Sequence, residues 1–433
     1  MPFLNLSESF PHLRAKDEVQ LHYLLSTPSH PIFTQAATAR AAAGTKANGH
    51  IPDSLSAATH PDPRYPLLVV FPSELFSVSL LFPHILCDAD LSRRFNILAL
   101  DPRGHGLTRE VPPRKGSPHL YDLDTKTADC LAFLDEYLNA PGVAKPQGGQ
   151  WQFHIVACGM SGLVATRAAA KLGNAIQTLS IVSPILEVED QFIIDSIAQC
   201  EEIINEAWTT AHSDEDSRNS AGNMPGELVE GFGYRWAGED ESLPKHVERS
   251  TFADLYDRFI RRGDGKEAAR AFLFDLYFER KAQSDEERAR VTADLLVVEG
   301  SEHLPYEEPI GGTLRKRFPN ARSFRYEQIQ KAPFLLSVMR PLEVRDLVKG
   351  FILPRIGATN NGAGTNTATQ AKTITLSHAE MHQLRLAFTS VSPSAPSRTL
   401  FRNGSNNSGR TSRGPGDERL APVVEKMERS SLA

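Results

Sequence analysis

Apolar residues follow two different rhythms along this chain. Val19-Gln20-Leu21-His22-Tyr23-Leu24-Leu25 alternates and then turns apolar, which predicts a strand. Leu67-Leu68-Val69-Val70-Phe71 and Phe95-Asn96-Ile97-Leu98-Ala99-Leu100 are short, nearly continuous apolar runs, as in central strands covered on both faces. Leu131, Leu134 and Leu138 place an amphipathic helix over 128–138. Phe153 to Ala157 is a strand and Gly162 to Leu172 a helix, with Gly173 as its C-terminal cap, before another strand over Ile176 to Val182. This β-α-β alternation predicts a mostly parallel sheet flanked by helices.

Between about 187 and 290 the rhythm becomes purely helical. Ile193, Ile197, Cys200, Ile204 and Trp208 mark one face, and Phe252, Leu255 and Phe259 a second that ends near Gly263. An aromatic stretch, 268–278, marks a third, and a polar loop over His212 to Glu227 separates the first two. The sheet rhythm resumes with Leu295-Leu296-Val297-Val298 and Phe324-Arg325-Tyr326. A closing helix over 342–351 should bury Leu342, Val344, Leu347, Val348 and Phe351. The expected organisation is a core of 12–187 and 291–355, a helical cap over 188–290 and a largely disordered tail over 357–433. Residues 36–63 lack any sustained pattern and are expected to form a flexible insertion. Ser377-His378-Ala379-Glu380 is a capping-box pattern inside the tail, ahead of a short apolar stretch.

The segment from Phe153 to Ala165 reads as strand, sharp turn and small-residue helix. That is the layout of a nucleophile elbow, Gly-x-Ser-x-Gly. Ala157 and Ser161 hold the small flanking positions, but the central residue is Gly159. Asp101-Pro102-Arg103-Gly104-His105-Gly106-Leu107-Thr108 lies upstream, and Ser183-Pro184 closes the next strand. In order and spacing these pieces resemble the α/β-hydrolase superfamily, in particular its cap-containing branch, over about 65–355 with a first strand near 19–27. The resemblance implies an α/β-hydrolase fold and, in a working member, a nucleophile, an acid and a base.

Carried onto this sequence, the nucleophile position falls on Gly159. The acid position falls on His303, with Glu302 beside it, and the base position on Phe334. The oxyanion loop becomes Phe71-Pro72-Ser73-Glu74, where a proline supplies no N–H donor. Asp101, Arg103, His105 and Asp129 are expected to be structural, with Asp101 and Arg103 acting together to anchor their loop. These substitutions point to a non-catalytic protein with an apolar cleft lined by Phe71, Pro72, Cys158, Met160, Trp208, Phe272 and Phe334. Its occupant would be a small hydrophobic ligand, or the fold would serve as a scaffold. The alternative is an active hydrolase, an esterase for example, built on Ser161 as nucleophile, His303 as base, and Glu302 or Glu187 as acid. Cys158 is a weaker nucleophile candidate, because Val156 and Met160 crowd the positions that should be small.

Bulk composition narrows the partners. With 433 residues, 40% hydrophobic, the chain can build a sizeable core, and a net charge of -6 argues against general nucleic-acid binding. Cys87, Cys130, Cys158 and Cys200 show no zinc spacing, so no metal or other cofactor is expected. No basic region precedes a long apolar run near Met1, and no run reaches the roughly 18 residues of a membrane span. The expectation is a cytoplasmic protein, with the basic tail as a further place for a protein partner.

Overall fold

The computed structural model describes residues 3–5, 19–32, 60–73, 75–110, 121–212, 225–238, 241–260, 265–278, 280–302, 306 and 308–356. All of them lie in the first of two compact units, Met1–Val391; the second is Ser392–Ala433. The expectations for 36–59 and for the tail, including the capping-box segment, fall outside the described residues.

Nine strands form one sheet: β1 (Phe3–Asn5), β2 (Val19–Ser26), β3 (Leu67–Phe71), β4 (Asn96–Asp101), β5 (Arg109–Glu110), β6 (Phe153–Cys158), β7 (Ile176–Val182), β8 (Asp294–Gly300) and β9 (Ser323–Ile329). Their order is β1-β2-β4-β3-β6-β7-β8-β9, with β5 pairing β2. From β4 to β9 every neighbour is parallel, while β2 runs antiparallel to β1, β4 and β5. The apolar runs explain this layout. Every residue of β3, β4, β6 and β8 is buried, which only helices on both faces can achieve.

Helices α1 (Leu123–Asn139) and α2 (Met160–Leu172) pack against the sheet. The side chain of Asp122 caps α1 by accepting from the Thr125 amide at 2.6 Å. Gly173, at φ 53°, ends α2 as its sequence predicted. Further along are α3 (Gln191–Ala211), α4 (Gly226–Ala237), α5 (Lys245–Leu255), α6 (Gly265–Arg270), α7 (Asp285–Ala289), α8 (Gly311–Arg317) and α9 (Pro341–Ile356). π-helical turns follow α5, at Tyr256–Ile260, and α6, at Ala271–Asp275.

Three local expectations need correction. Helix α4 occupies part of what the sequence presents as loop and unassigned chain. The third helical face starts at Gly265 rather than at 268, and carries a π turn at Ala271–Asp275 within one helical run to Phe278. Leu342 is 36% exposed, because it sits in the first turn of α9, while Val344, Val348 and Phe351 are the residues facing the sheet.

Candidate functional site

Gly159 is the apex between β6 and α2, with φ 53° and ψ -128°. A side chain at that φ clashes with its own backbone, at a cost of about 1–2 kcal/mol, and glycine avoids the clash. The turn is held by the Gly159 amide, which donates to the Val182 carbonyl at 3.1 Å, and by the Gly162 amide, which donates to the Gly159 carbonyl at 2.9 Å. Close packing of helix on strand depends on Gly162. A Cβ there would lie 2.8 Å from Ile181 Cγ2.

The other strand ends at this edge are strained as well. Leu75, Ser183 and Lys331, just past β3, β7 and β9, have φ of 69°, 51° and 53°. Such strain persists where neighbours fix the conformation. The Ser183 hydroxyl accepts from the Leu336 amide at 3.2 Å, and the Lys331 amide donates to the Ser301 hydroxyl at 2.7 Å. The Ser337 hydroxyl points at Cys158 Sγ, 3.6 Å away.

The space above this edge is filled by the helical block. Trp236, from α4, is 2% exposed. Its ring lies 4.8 Å from Phe76 in the loop after β3, and 4.9 Å from Phe232. Its carbonyl accepts from the Leu335 amide at 2.9 Å, next to the buried Phe334. A cavity of about 10 Å³ lies beside Gly159, away from Trp236, and is lined in part by Thr166, Ile181, Glu187 and Arg317. That is room for about one water molecule.

Buried charges hold the helical block to the sheet. Arg280 donates from Nε to the Glu187 carbonyl at 2.8 Å and from Nη2 to the Leu186 carbonyl at 2.6 Å. It also pairs with Glu189 at 2.7 Å, and its Nη1 sits 3.5 Å from Met160 Sδ, beside the apex. Glu187 gathers Arg288 at 3.0 Å, Arg317 at 3.2 Å and Arg167 at 3.7 Å. On the far side, Phe272 packs so closely on the Arg-Gly-His-Gly turn that a Cβ on Gly104 would sit 2.4 Å from its ring. Arg258 donates to the Gly106 carbonyl at 2.9 Å.

No family model and no curated protein sequence matches this chain. Solved structures do. An esterase from Thermogutta terrifontis superposes with a TM-score of 0.51 at 11% identity, over 82% of this chain and 99% of that one. A carboxylesterase from Bacillus subtilis follows at 0.49 and 12%, over 82% and 92%. An enol-lactonase from Burkholderia xenovorans gives 0.45 and 17%, over 77% and 96%. The chain has the α/β-hydrolase fold.

Within that fold the sequence-derived positions divide into groups. Gly159, Cys158, Met160 and Ser161 cluster at the apex, all buried; Ser161 is in the first turn of α2 at 3% exposure. Phe71 and Pro72 are buried at the end of β3, and Phe334 is buried beside Leu335. Glu302 is half-buried, with its amide donating to the Ala332 carbonyl at 3.1 Å. His303 lies outside the described residues. Phe272 belongs to the Arg-Gly-His-Gly turn, packed edge-on to His105 at 5.3 Å. Trp208 is half-buried and stacks on His212 at 4.3 Å, with the Lys266 ammonium 5.5 Å from its ring.

Asp101 and Arg103 each hold the loop through a partner distant in sequence. Asp101 bonds His22 Nδ1 at 2.9 Å and accepts from the Val78 and Leu107 amides. Burial alone would raise the Asp101 pKa; the hydrogen bonds outweigh it and hold the carboxyl below its usual range. Arg103 pairs with Asp129 at 2.8 Å, both side chains at 0–1% exposure. Burial, then the charge of Lys126, pushes the His105 imidazole down to about 3, and its Nδ1 faces the Arg103 carbonyl at 2.9 Å. Glu187, weighed above as an acid, is taken up by its three arginines.

Sequence reasoning missed Trp236 and the Arg280–Glu189–Tyr306 group, in which the Tyr306 hydroxyl donates to Glu189 at 2.7 Å. Leu228, Phe232 and Trp236, four residues apart, were the available signal for the first. The second has no local signal, since Glu189 lies 91 residues before Arg280 and 117 before Tyr306. Among the described residues no group of three His, Cys, Asp or Glu could hold a metal, and no helix is long and apolar enough to cross a membrane.

Proposed function

We propose that this is a non-catalytic α/β-hydrolase-fold protein whose helical block acts as a closed cap, so that the fold serves as a scaffold rather than as an esterase. One observation carries the reading. The residue at the strand–helix apex, Gly159 at φ 53°, has no side chain with which to attack a carbonyl. Phe334, at the position where the resemblance would place a base, is a buried hydrocarbon ring. Trp236 of the helical block, buried against Phe76 and Phe232, favours a scaffold over a ligand-binding cleft. A small hydrophobic ligand would have to displace the cap. Four free cysteines suit a reducing cytoplasm, and the tail beyond 356 is the segment we assign to a protein partner.

The test is direct. Purified protein is incubated with an activated ester and with a fluorophosphonate probe. The expected result is turnover at the buffer rate and no covalent adduct. An adduct on Ser161 that disappears in Ser161→Ala would overturn the proposal in favour of an active hydrolase.

A further inference from the structure

The sheet ends in two unlike edges. At one end stand β1, of three residues, and β5, of two, both too short to template another strand. At the other end β9 runs for seven residues and is bonded to β8 on one side. Among the described residues no strand pairs its other side. The ring of Tyr326 does not cover that edge. It is pressed onto the face of the sheet, where a Cβ on Gly311 would lie 2.2 Å from it and where its hydroxyl donates to Glu299 at 2.9 Å.

We propose that β9 is a dimerisation edge and that its occupant is β9 of a second copy of this chain, antiparallel and centred on Tyr326. Outward-pointing backbone groups alternate along an edge strand, so residues opposite one another in an antiparallel pair of identical strands have the same parity. The two-fold axis must therefore pass through a residue, not between two. Placed on Tyr326, the midpoint of Ser323–Ile329, it pairs all seven residues of the strand.

That register also sets Arg325 opposite Glu327 of the second copy, and Glu327 opposite its Arg325. The remaining pairs, Ser323 with Ile329 and Phe324 with Gln328, contain no charge. An axis on Arg325 would oppose two arginines, and an axis on Glu327 two glutamates. Cross-strand opposite charges stabilise and like charges repel, so the charges choose the same register as the length does. In the single chain Arg325 and Glu327 pair with each other at 2.6 Å, with side chains 47% and 33% exposed, so both are on hand at the edge. The contact is isologous and closes at two copies, since the described residues of each copy offer one such edge.

Sedimentation velocity on the full chain, over a wide concentration range, tests this. The expected wild-type result is a monomer–dimer equilibrium. Arg325→Glu or Glu327→Arg alone should weaken the dimer roughly tenfold or more. The double variant Arg325→Glu with Glu327→Arg should return to near the wild-type constant, since each new charge again meets its opposite. Tyr326→Cys should form a symmetric interchain disulfide under oxidation, because paired Cα atoms lie about 4.5–5.5 Å apart, within disulfide reach. Unchanged circular dichroism in the single variants separates lost pairing from lost fold. A monomer at every concentration, or a dimer indifferent to charge reversal and uncrosslinked through Tyr326→Cys, overturns the proposal.

Discussion

The Asp101–Thr108 turn and the Gly159 apex sit on the same end of the same sheet, yet they are stabilised by opposite means. The turn is a buried polar lattice in which Asp101, Arg103 and His105 each have a named partner. Around the apex the buried residues Phe71, Cys158, Met160, Phe334 and Trp236 are apolar, and the ion pairs of Glu187 and Arg280 lie to one side. Burying an ionised group is costly unless it is paired, so the lattice survives only as a complete set. Apolar packing tolerates loss of chemistry, because its members need to fit and not to react. A fold can therefore keep its framework turn intact while the apex changes character.

Removing the ring that fills the apolar region should have the largest effect. Trp236→Ala should destabilise by about 3–5 kcal/mol, through lost burial and the cavity left behind. It should also do something that no break in the turn could do. A dry aromatic-lined cavity binds small aromatic molecules. Indole should raise the unfolding midpoint of the variant and leave the wild type unmoved. If indole has no effect on either, the crevice collapses on truncation, and Trp236 is ordinary core rather than a plug.

Acid should find the turn before it finds the apex. Above pH 6.5 His105 is neutral folded or unfolded and contributes no pH dependence. Below that, the unfolded chain takes up a proton that the folded chain, with His105 at about 3, refuses. Stability is therefore lost as the pH falls from about 6.5 toward 3, at up to about 1.4 kcal/mol per pH unit. His154, buried beneath Phe95 and likewise pushed down to about 3 by burial, adds a second such slope from the centre of the sheet. Asp101 acts with the same sign in a lower window: its lowered pKa contributes stability that is lost only as the pH falls below about 3.8. Urea midpoints between pH 4.5 and 7.5 in His105→Asn should lose about one proton's worth of slope relative to wild type. An unchanged slope would mean that His105 titrates normally inside the turn.

The two regions were also unequally legible in the sequence. The sheet could be read almost residue by residue: Leu67–Phe71 and Phe153–Ala157 are so uniformly apolar that only a central strand accommodates them. The Asp101–Thr108 motif and the Gly159 apex stood out because their glycines fall where the backbone turns, with Gly104 at φ 83° and Gly159 at φ 53°. Helix α4 did not stand out. Gly226, Gly231 and Gly233 each lower helix propensity by about 1 kcal/mol, and tertiary burial of Leu228, Phe232 and Trp236 overrides them. The plug was hidden for that reason. The partners of Asp101 and Arg103 were hidden for another. His22 and Asp129 are 79 and 26 residues away from them, and pairing at that range is decided by packing rather than by pattern.

The smallest expected effect is the one that bears most directly on the apex. Gly159→Ser puts a hydroxyl at the tip of the elbow and a Cβ at positive φ, which should cost about 1 kcal/mol of stability. A hydroxyl without a base stays protonated at neutral pH and is a poor nucleophile. The ring of Phe334 can accept no proton, so the variant should hydrolyse an activated ester no faster than the parent. A gain in turnover well above the parent would place a base within reach of the apex. The proposal of a non-catalytic apex would then fail.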